Sequence, residues 1–172
     1  IFREYPSVSL IGSSVLFINP TGEQIPSLKG FNHGMEVKNR ELKRRMLRNN
    51  VFCSSAMVFK KSLISSIGKF NESLETSMDY EFLIRALVGF EGFITRHALV
   101  EYRVSRSMMT LKHRKRMIRE SVSIRFLAMK LFSPPFFLRI LVLKDILGLT
   151  AVRLLSAGSR HRASREPGCR PR

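Results

Sequence analysis

The sequence predicts an α/β fold, and three observations carry that expectation. Runs rich in β-branched and apolar residues occur at Val8–Asn19, Val51–Phe59 and Leu99–Val104. Between and after them, apolar residues recur at helical spacing over 36–50, 61–67, 77–88 and 111–132. Turn formers and helix breakers mark the changeovers: Pro20-Thr-Gly22, Asn49-Asn50, Gly68, Gly89 and Pro134-Pro135. A chain of 172 residues that is 44% hydrophobic is long and oily enough to bury a core, as one domain or as part of a larger one.

Taken in order, Val8–Asn19 reads as a strand, and Pro20-Thr-Gly22 turns it toward Glu23-Gln-Ile25 as a hairpin-like pair. Residues 36–50 read as a basic amphipathic helix, with Val37, Leu42, Met46 and Leu47 on one side. Its plain interpretation is a solvated surface face; contact with nucleic acid or a membrane is the alternative. Val51–Phe59 is a strand by composition, interrupted by Ser54 and Ser55, and Lys61–Ile67 is a short helix stopped by Gly68. Phe93–Thr95 and Leu99–Val104 look like two short strands. From Leu111 to about Phe132 runs a long helix with a dense basic start: Lys112, His113, Arg114, Lys115, Arg116 and Arg119. Pro134-Pro135 breaks it. An apolar helix then resumes to about Leu155, but Arg139, Lys144, Asp145 and Arg153 keep any charge-free run short of the ~18 residues that suggest a membrane span. Such a basic, oily helix pair suits a membrane surface, or packing on further protein. After Ser156 the residues lack core formers, and a disordered tail is expected.

The stretch Phe70–Gly89 stands apart. The chain has 13 Asp and Glu against 30 Lys and Arg, yet Glu72, Glu75, Asp79 and Glu81 fall within ten residues. Thr76-Ser-Met-Asp79 matches a capping box, with Ser77 able to cap one residue later. A helix at about 77–88 follows, with Asp79 in its first turn and Gly89 as a C-terminal stop. Read locally, Asp79 complements the helix dipole.

The surroundings of Asp79 add a second reading. Ser54-Ser55 leads to Lys60, then come Gly68-Lys69-Phe70-Asn71-Glu72-Ser73-Leu74, Met78-Asp79-Tyr80-Glu81 to Arg85, and Tyr102-Arg103-Val104-Ser105. In that order and spacing, over roughly residues 5–120, these pieces resemble the C-terminal half of the catalytic domain of family 2 glycosyltransferases, inverting enzymes of the GT-A fold. The resemblance implies a partial GT-A, Rossmann-like domain over 1–110, a basic and apolar helical extension over 111–155, and a loose tail over 156–172. It implies transfer of a sugar from a nucleotide-sugar donor to a glycan or lipid-linked acceptor. Asp79 would be the catalytic base, with Ser54, Ser55, Arg103 and Arg106 at the substrates. Small hydroxyls in a buried strand are otherwise commonly backbone-bonded, and the two arginines are otherwise solvated charge.

Two positions and one missing motif depart from the family pattern. Met78 stands where an acid usually precedes the base, and Ser105 stands where a histidine can contact metal. No Asp-x-Asp metal motif occurs, since Asp79 and Asp145 are the only aspartates. Mg²⁺ or Mn²⁺ is therefore expected of a full-length parent and not of this chain alone, which is expected to be an inactive fragment. Ile1 is not methionine and opens into sequence resembling mid-domain, so a truncated product without a signal peptide at its start is expected. The expected setting is cytoplasmic, peripheral at the inner membrane face, with 111–155 as the membrane contact.

The net charge of +17 attracts anions, so a basic nucleic-acid-binding module or a membrane-surface scaffold without catalysis are the rival classes. Absence of Trp, only three Tyr, and basic residues spread over many segments argue against nucleic acid. Cys53 sits in an apolar run as a buried thiol and Cys169 in the polar tail, with no disulfide framework or metal spacing.

Overall fold

The computed structural model describes residues 1–28, 31, 36–105, 108 and 112–148. The chain divides into two compact units, Ile1–Pro134 and Pro135–Arg172. The first is α/β. Its strands are β1 (Val8–Ile18), β2 (Val37–Lys38), β3 (Met57–Phe59) and β4 (Glu91–Arg103). Its helices are α1 (Asn39–Met46), α2 (Lys61–Ile67), α3 (Met78–Gly89) and α4 (Arg114–Phe132). The second unit contains a helix over 136–148, here α5.

One mixed sheet runs in the order β2-β4-β1-β3. β1 pairs parallel with β4 and antiparallel with β3, while β2 pairs antiparallel with β4. Most of β1 is buried, including Ser9, Ser13 and Ser14, as befits an interior strand covered on both faces. The β1–β4 ladder extends from Val8↔Glu91 to Ile18↔Arg103, but its register shifts at Ser13/Ser14 and Ser14/Val15. There Thr95, Ala98 and Val100 oppose Ser13, Ser14 and Val15, so Arg96, His97 and Leu99 are extra residues in β4. These bulges break the alternation, which is why one thirteen-residue strand reads in sequence as two short ones.

α3 is the core helix. Tyr80 to Ile84, Ala86 and Leu87 are buried, so it is covered nearly all round. Phe82 stacks on Phe70, with ring centroids 4.4 Å apart, and meets Phe59 at 5.5 Å. Its bounds fall one residue beyond the expected 77–88. Gly89 is its last helical residue, not the left-handed stop expected, and Phe90 follows in extended conformation. α2 has the bounds read from sequence, and Gly68 ends it at φ +80°, a conformation that L side chains rarely adopt.

Other elements depart from expectation. The anticipated hairpin reduces to a single bridge, Ile18↔Gln24, around a turn in which Asn19 Oδ1 accepts from the Thr21 and Glu23 amides at 3.0 and 2.9 Å. α1 is shorter than 36–50 because Val37 and Lys38 join the sheet. Val51–Phe59 yields only the short β3, because Ser54–Ala56 curl into a 3₁₀ turn. α4 starts at Arg114 and ends at Ser133, left-handed at φ 44°, just before the two prolines. It belongs to the first compact unit and packs on α3. The expected tail, 156–172, lies outside the described residues.

Phe52, 1% exposed, packs closely against Gly12 of β1: a Cβ there would sit 2.5 Å from the Phe52 ring. The contact requires glycine, and it fixes the approach of the segment that carries Ser54. Gly12→Val is expected to lower unfolding free energy by about 1–3 kcal/mol through overpacking, measured by urea denaturation.

Candidate active site

Three elements converge on Asp79. Its own position comes from α3: Ser77 is the N-cap and Met78 the first helical residue, so Asp79 lies in the first turn, half-buried. The second element is the turn after α1. Asn50 Oδ1 accepts from the Phe52 amide at 3.1 Å, closing an Asx turn, and this aims its Nδ2 at Asp79 Oδ2 at 3.2 Å. The third is the 3₁₀ turn, from which Ser54 Oγ donates to the same Oδ2 at 2.5 Å. Asp79 Oδ1 accepts from the Tyr80 amide at 2.7 Å. These donors are neutral. A carboxylate oxygen accepts about two hydrogen bonds, so Oδ2 is filled and Oδ1 keeps room for one more.

The Asp79 charge reaches further groups. Burial pushes the Cys53 thiol up, Ser55 and Ala56 pull it back by hydrogen bonding, and the carboxylate adds to the rise. Burial likewise raises the Tyr102 phenol, with Cys53 and Asp79 contributing. Tyr102 belongs to a partly buried aromatic group with Phe17, at 5.6 Å edge-to-face, and Phe31, at 6.4 Å. These rings border the small apolar cluster Val15, Cys53 and Ala56.

The start of α3 is not held by its own hydroxyls. The anticipated capping box is absent: Ser77 makes no side-chain cap, and Thr76 donates its Oγ1 elsewhere. The partner is Glu120, the sole acid on α4. Its Oε2 accepts from the Thr76 amide at 3.0 Å, Thr76 Oγ1 at 2.6 Å and the Ser77 amide at 2.9 Å, while Oε1 accepts from the Glu75 amide at 3.2 Å. A second α4 residue, Arg116, pairs with Glu75. A third, Arg125, is buried at 5% exposure and donates to Asn49 Oδ1 at 2.8 Å, beside the Asn50 that reaches Asp79. Its Nε and Nη1 are buried without a hydrogen-bond partner. Tyr80, next to Asp79, donates its hydroxyl to the Met46 carbonyl. Burial pushes that phenol up to about 12, against the pull of the nearby Arg125 guanidinium.

The site residues expected from sequence are distributed unevenly. Ser54 and Asp79 meet, though they are 25 residues apart in the chain. Ser55 is exposed beside them and bonds to Cys53. Arg103 is elsewhere: its Nη1 donates to the Asn19 and Pro20 carbonyls at 3.1 and 2.8 Å. Strand alternation puts it on the sheet face opposite Tyr102. Arg106 lies outside the described residues. Glu81 and Arg85 have structural work: Arg85 binds Glu81 Oε1 at 2.7 Å and Oε2 at 3.0 Å, and donates to the carbonyls of Ile67 and Lys69. That clamp ties the Gly68 loop to α3.

Asn50, Glu120 and Arg125 were not read from the sequence as site residues. Glu120 had a signal, as the one acid within a helix crowded with cations. Asn50 stood at a helix end, and nothing local distinguished Arg125.

Among the described residues no three His, Cys, Asp or Glu side chains gather as a metal-binding group. One carboxylate with a neutral amide and a hydroxyl does not fit a hard divalent cation, which takes several oxygen ligands. A shallow cavity lined by Asn39, Arg40, Lys43, Phe90 and Glu91 contains none of the expected site residues. It lies near the start of β4, whereas Tyr102 lies near its end. The chemistry around Asp79 and this cavity are separate features, and the convergent side chains are the better guide to function.

The chain matches no known family model, and no curated protein matches it.

Glu120→Ala is expected to cost about 1–3 kcal/mol in urea unfolding, because it strips several amides of their acceptor at once. In an absorbance titration at 295 nm, the last of the three tyrosines is expected to ionise near pH 12, and Tyr80→Phe to remove that step. A folded-state pKa above the ordinary 10 also means that stability is held below pH 10 and falls as pH rises toward 12.

Proposed function

We propose that this chain carries the acceptor-side portion of a GT-A catalytic domain of the family 2 glycosyltransferase type, with Asp79 as general base. The observation that supports the reading is the Asp79–Ser54 hydrogen bond at 2.5 Å, which joins two of the sequence pieces that resemble the family. The Gly68 loop is tied to α3 by Arg85, and Tyr102 stands close enough to feel the Asp79 charge.

In this reading the free lone pair of Asp79 Oδ1 accepts the proton of an acceptor hydroxyl. The acceptor oxygen attacks the anomeric carbon from the face opposite the leaving group. The new C–O bond forms as the bond to the nucleotide diphosphate breaks, and the configuration inverts. Ser54 and Asn50 hold Oδ2, so they orient the base without taking the proton. The helix N-terminus favours the carboxylate charge. The residues here do not make a divalent-cation site, and no step is derived through one. Donor-side residues would come from outside these 172.

The net charge of +17 favours a second reading, a non-catalytic nucleic-acid-binding module. Salt separates the two, since such binding weakens steeply as ionic strength rises.

In the complete enzyme, Asp79→Asn is expected to lower sugar transfer by about 10²–10⁴-fold while donor affinity stays near wild type. Radiolabelled transfer assays and calorimetric donor titration measure the two. Full activity in a folded Asp79→Asn protein would end the transferase reading.

A further inference from the structure

The helix over 136–148 carries more apolar surface than one buried stripe uses. Nine of its thirteen residues are large and apolar: Phe136, Phe137, Leu138, Ile140, Leu141, Val142, Leu143, Ile146 and Leu147. Phe136 is 78% exposed, Leu147 66% and Phe137 65%, and Ile140, Leu141 and Leu143 are exposed too. At 3.6 residues per turn, Phe136, Ile140, Leu143 and Leu147 fall within an arc of about 60°. Exposed Arg139 and Lys144 flank that arc on either side, and Asp145 falls on the opposite side of the helix. Apolar face, basic shoulders and a remote acid form the pattern of a helix that lies in a lipid interface.

We propose that 136–148 docks in the plane of an anionic lipid bilayer. Phe136, Ile140, Leu143 and Leu147 enter the acyl boundary, and Arg139 and Lys144 stay at headgroup level. Charge selects this occupant. A second copy of a chain with net charge +17 would be repelled, whereas an anionic surface attracts it. Charge along the helix selects the orientation. Arg139, Lys144 and Asp145 interrupt its apolar residues, and among the described residues no helix is long and apolar enough to cross a membrane. The proposal stands apart from the transferase reading and survives its failure.

The test is flotation of the whole chain with vesicles of phosphatidylcholine alone or mixed with phosphatidylglycerol. The chain is expected to float with the mixed vesicles, less so in high salt, and to stay behind with phosphatidylcholine alone. Replacing Phe136, Phe137 and Leu147 together by serine is expected to cut recovery by about tenfold or more. These positions are exposed, and circular dichroism should show the fold retained. Lys144→Glu should weaken recovery on mixed vesicles by severalfold. Failure to float, equal recovery on neutral vesicles, or unchanged recovery of the triple variant would overturn the proposal. So would light scattering that shows a dimer abolished by the same three substitutions without any flotation.

Discussion

The first unit depends on one carboxylate placed against three consecutive amides. Glu120 reaches from α4 to the N–H groups of Glu75, Thr76 and Ser77, where the chain turns into α3. Helix starts leave donors without intrahelical partners, and a charged acceptor there is worth more than a neutral one. Because the acceptor comes from another element, the same bonds also dock two helices. The Arg116–Glu75 pair reinforces that docking, and buried Arg125 extends it to Asn49. α4 therefore braces both segments that reach Asp79: the start of α3 and the Asn49-Asn50 turn.

The sheet supplies the remaining placement. The parallel β1–β4 pair brings Val15 and Phe17 of one strand beside Val100 and Tyr102 of the other. Gly12 lets Phe52 lie on β1, and the two residues after Phe52 carry the chain to Ser54. The Gly12–Phe52 contact and the Glu120 carboxylate at the entrance to α3 thus place Ser54 and Asp79 beside one another. The neutral donors around Oδ2 fix the orientation of the Asp79 carboxylate through hydrogen bonds from Asn50 and Ser54.

Much of this was legible locally. The periodic run of α3, the glycine that ends α2 and the prolines that end α4 all act within a few residues, and each gives a bound close to the observed one. What failed required distant partners. Thr76-Ser-Met-Asp79 has the composition of a capping box, but Glu120, 44 residues from Thr76, takes both the Thr76 amide and its hydroxyl, while the Asp79 carboxylate accepts from Asn50 and Ser54 instead. Val51–Phe59 has strand composition, but the Asx turn of Asn50 and the curl of Ser54–Ala56 leave only Met57–Phe59 in the sheet. β4 hid as two strands because its extra residues break the period of two. At the site, Asp79 and Ser54 were each singled out only through the family resemblance, and nothing in the sequence showed that they bond to one another, whereas Arg103 bonds to the Asn19 and Pro20 carbonyls. No local pattern exposes a side chain such as Arg125 that acts through a neighbour of a neighbour.

The most direct test of this account is amide hydrogen exchange at Thr76 and Ser77 in wild-type and Glu120→Gln protein. If the Glu120 carboxylate holds the entrance to α3, both amides exchange slowly in the wild type and at least about tenfold faster in the variant, while the interior of α4 keeps its protection. Equal protection of Thr76 and Ser77 in the two proteins would show that the entrance is held by something else.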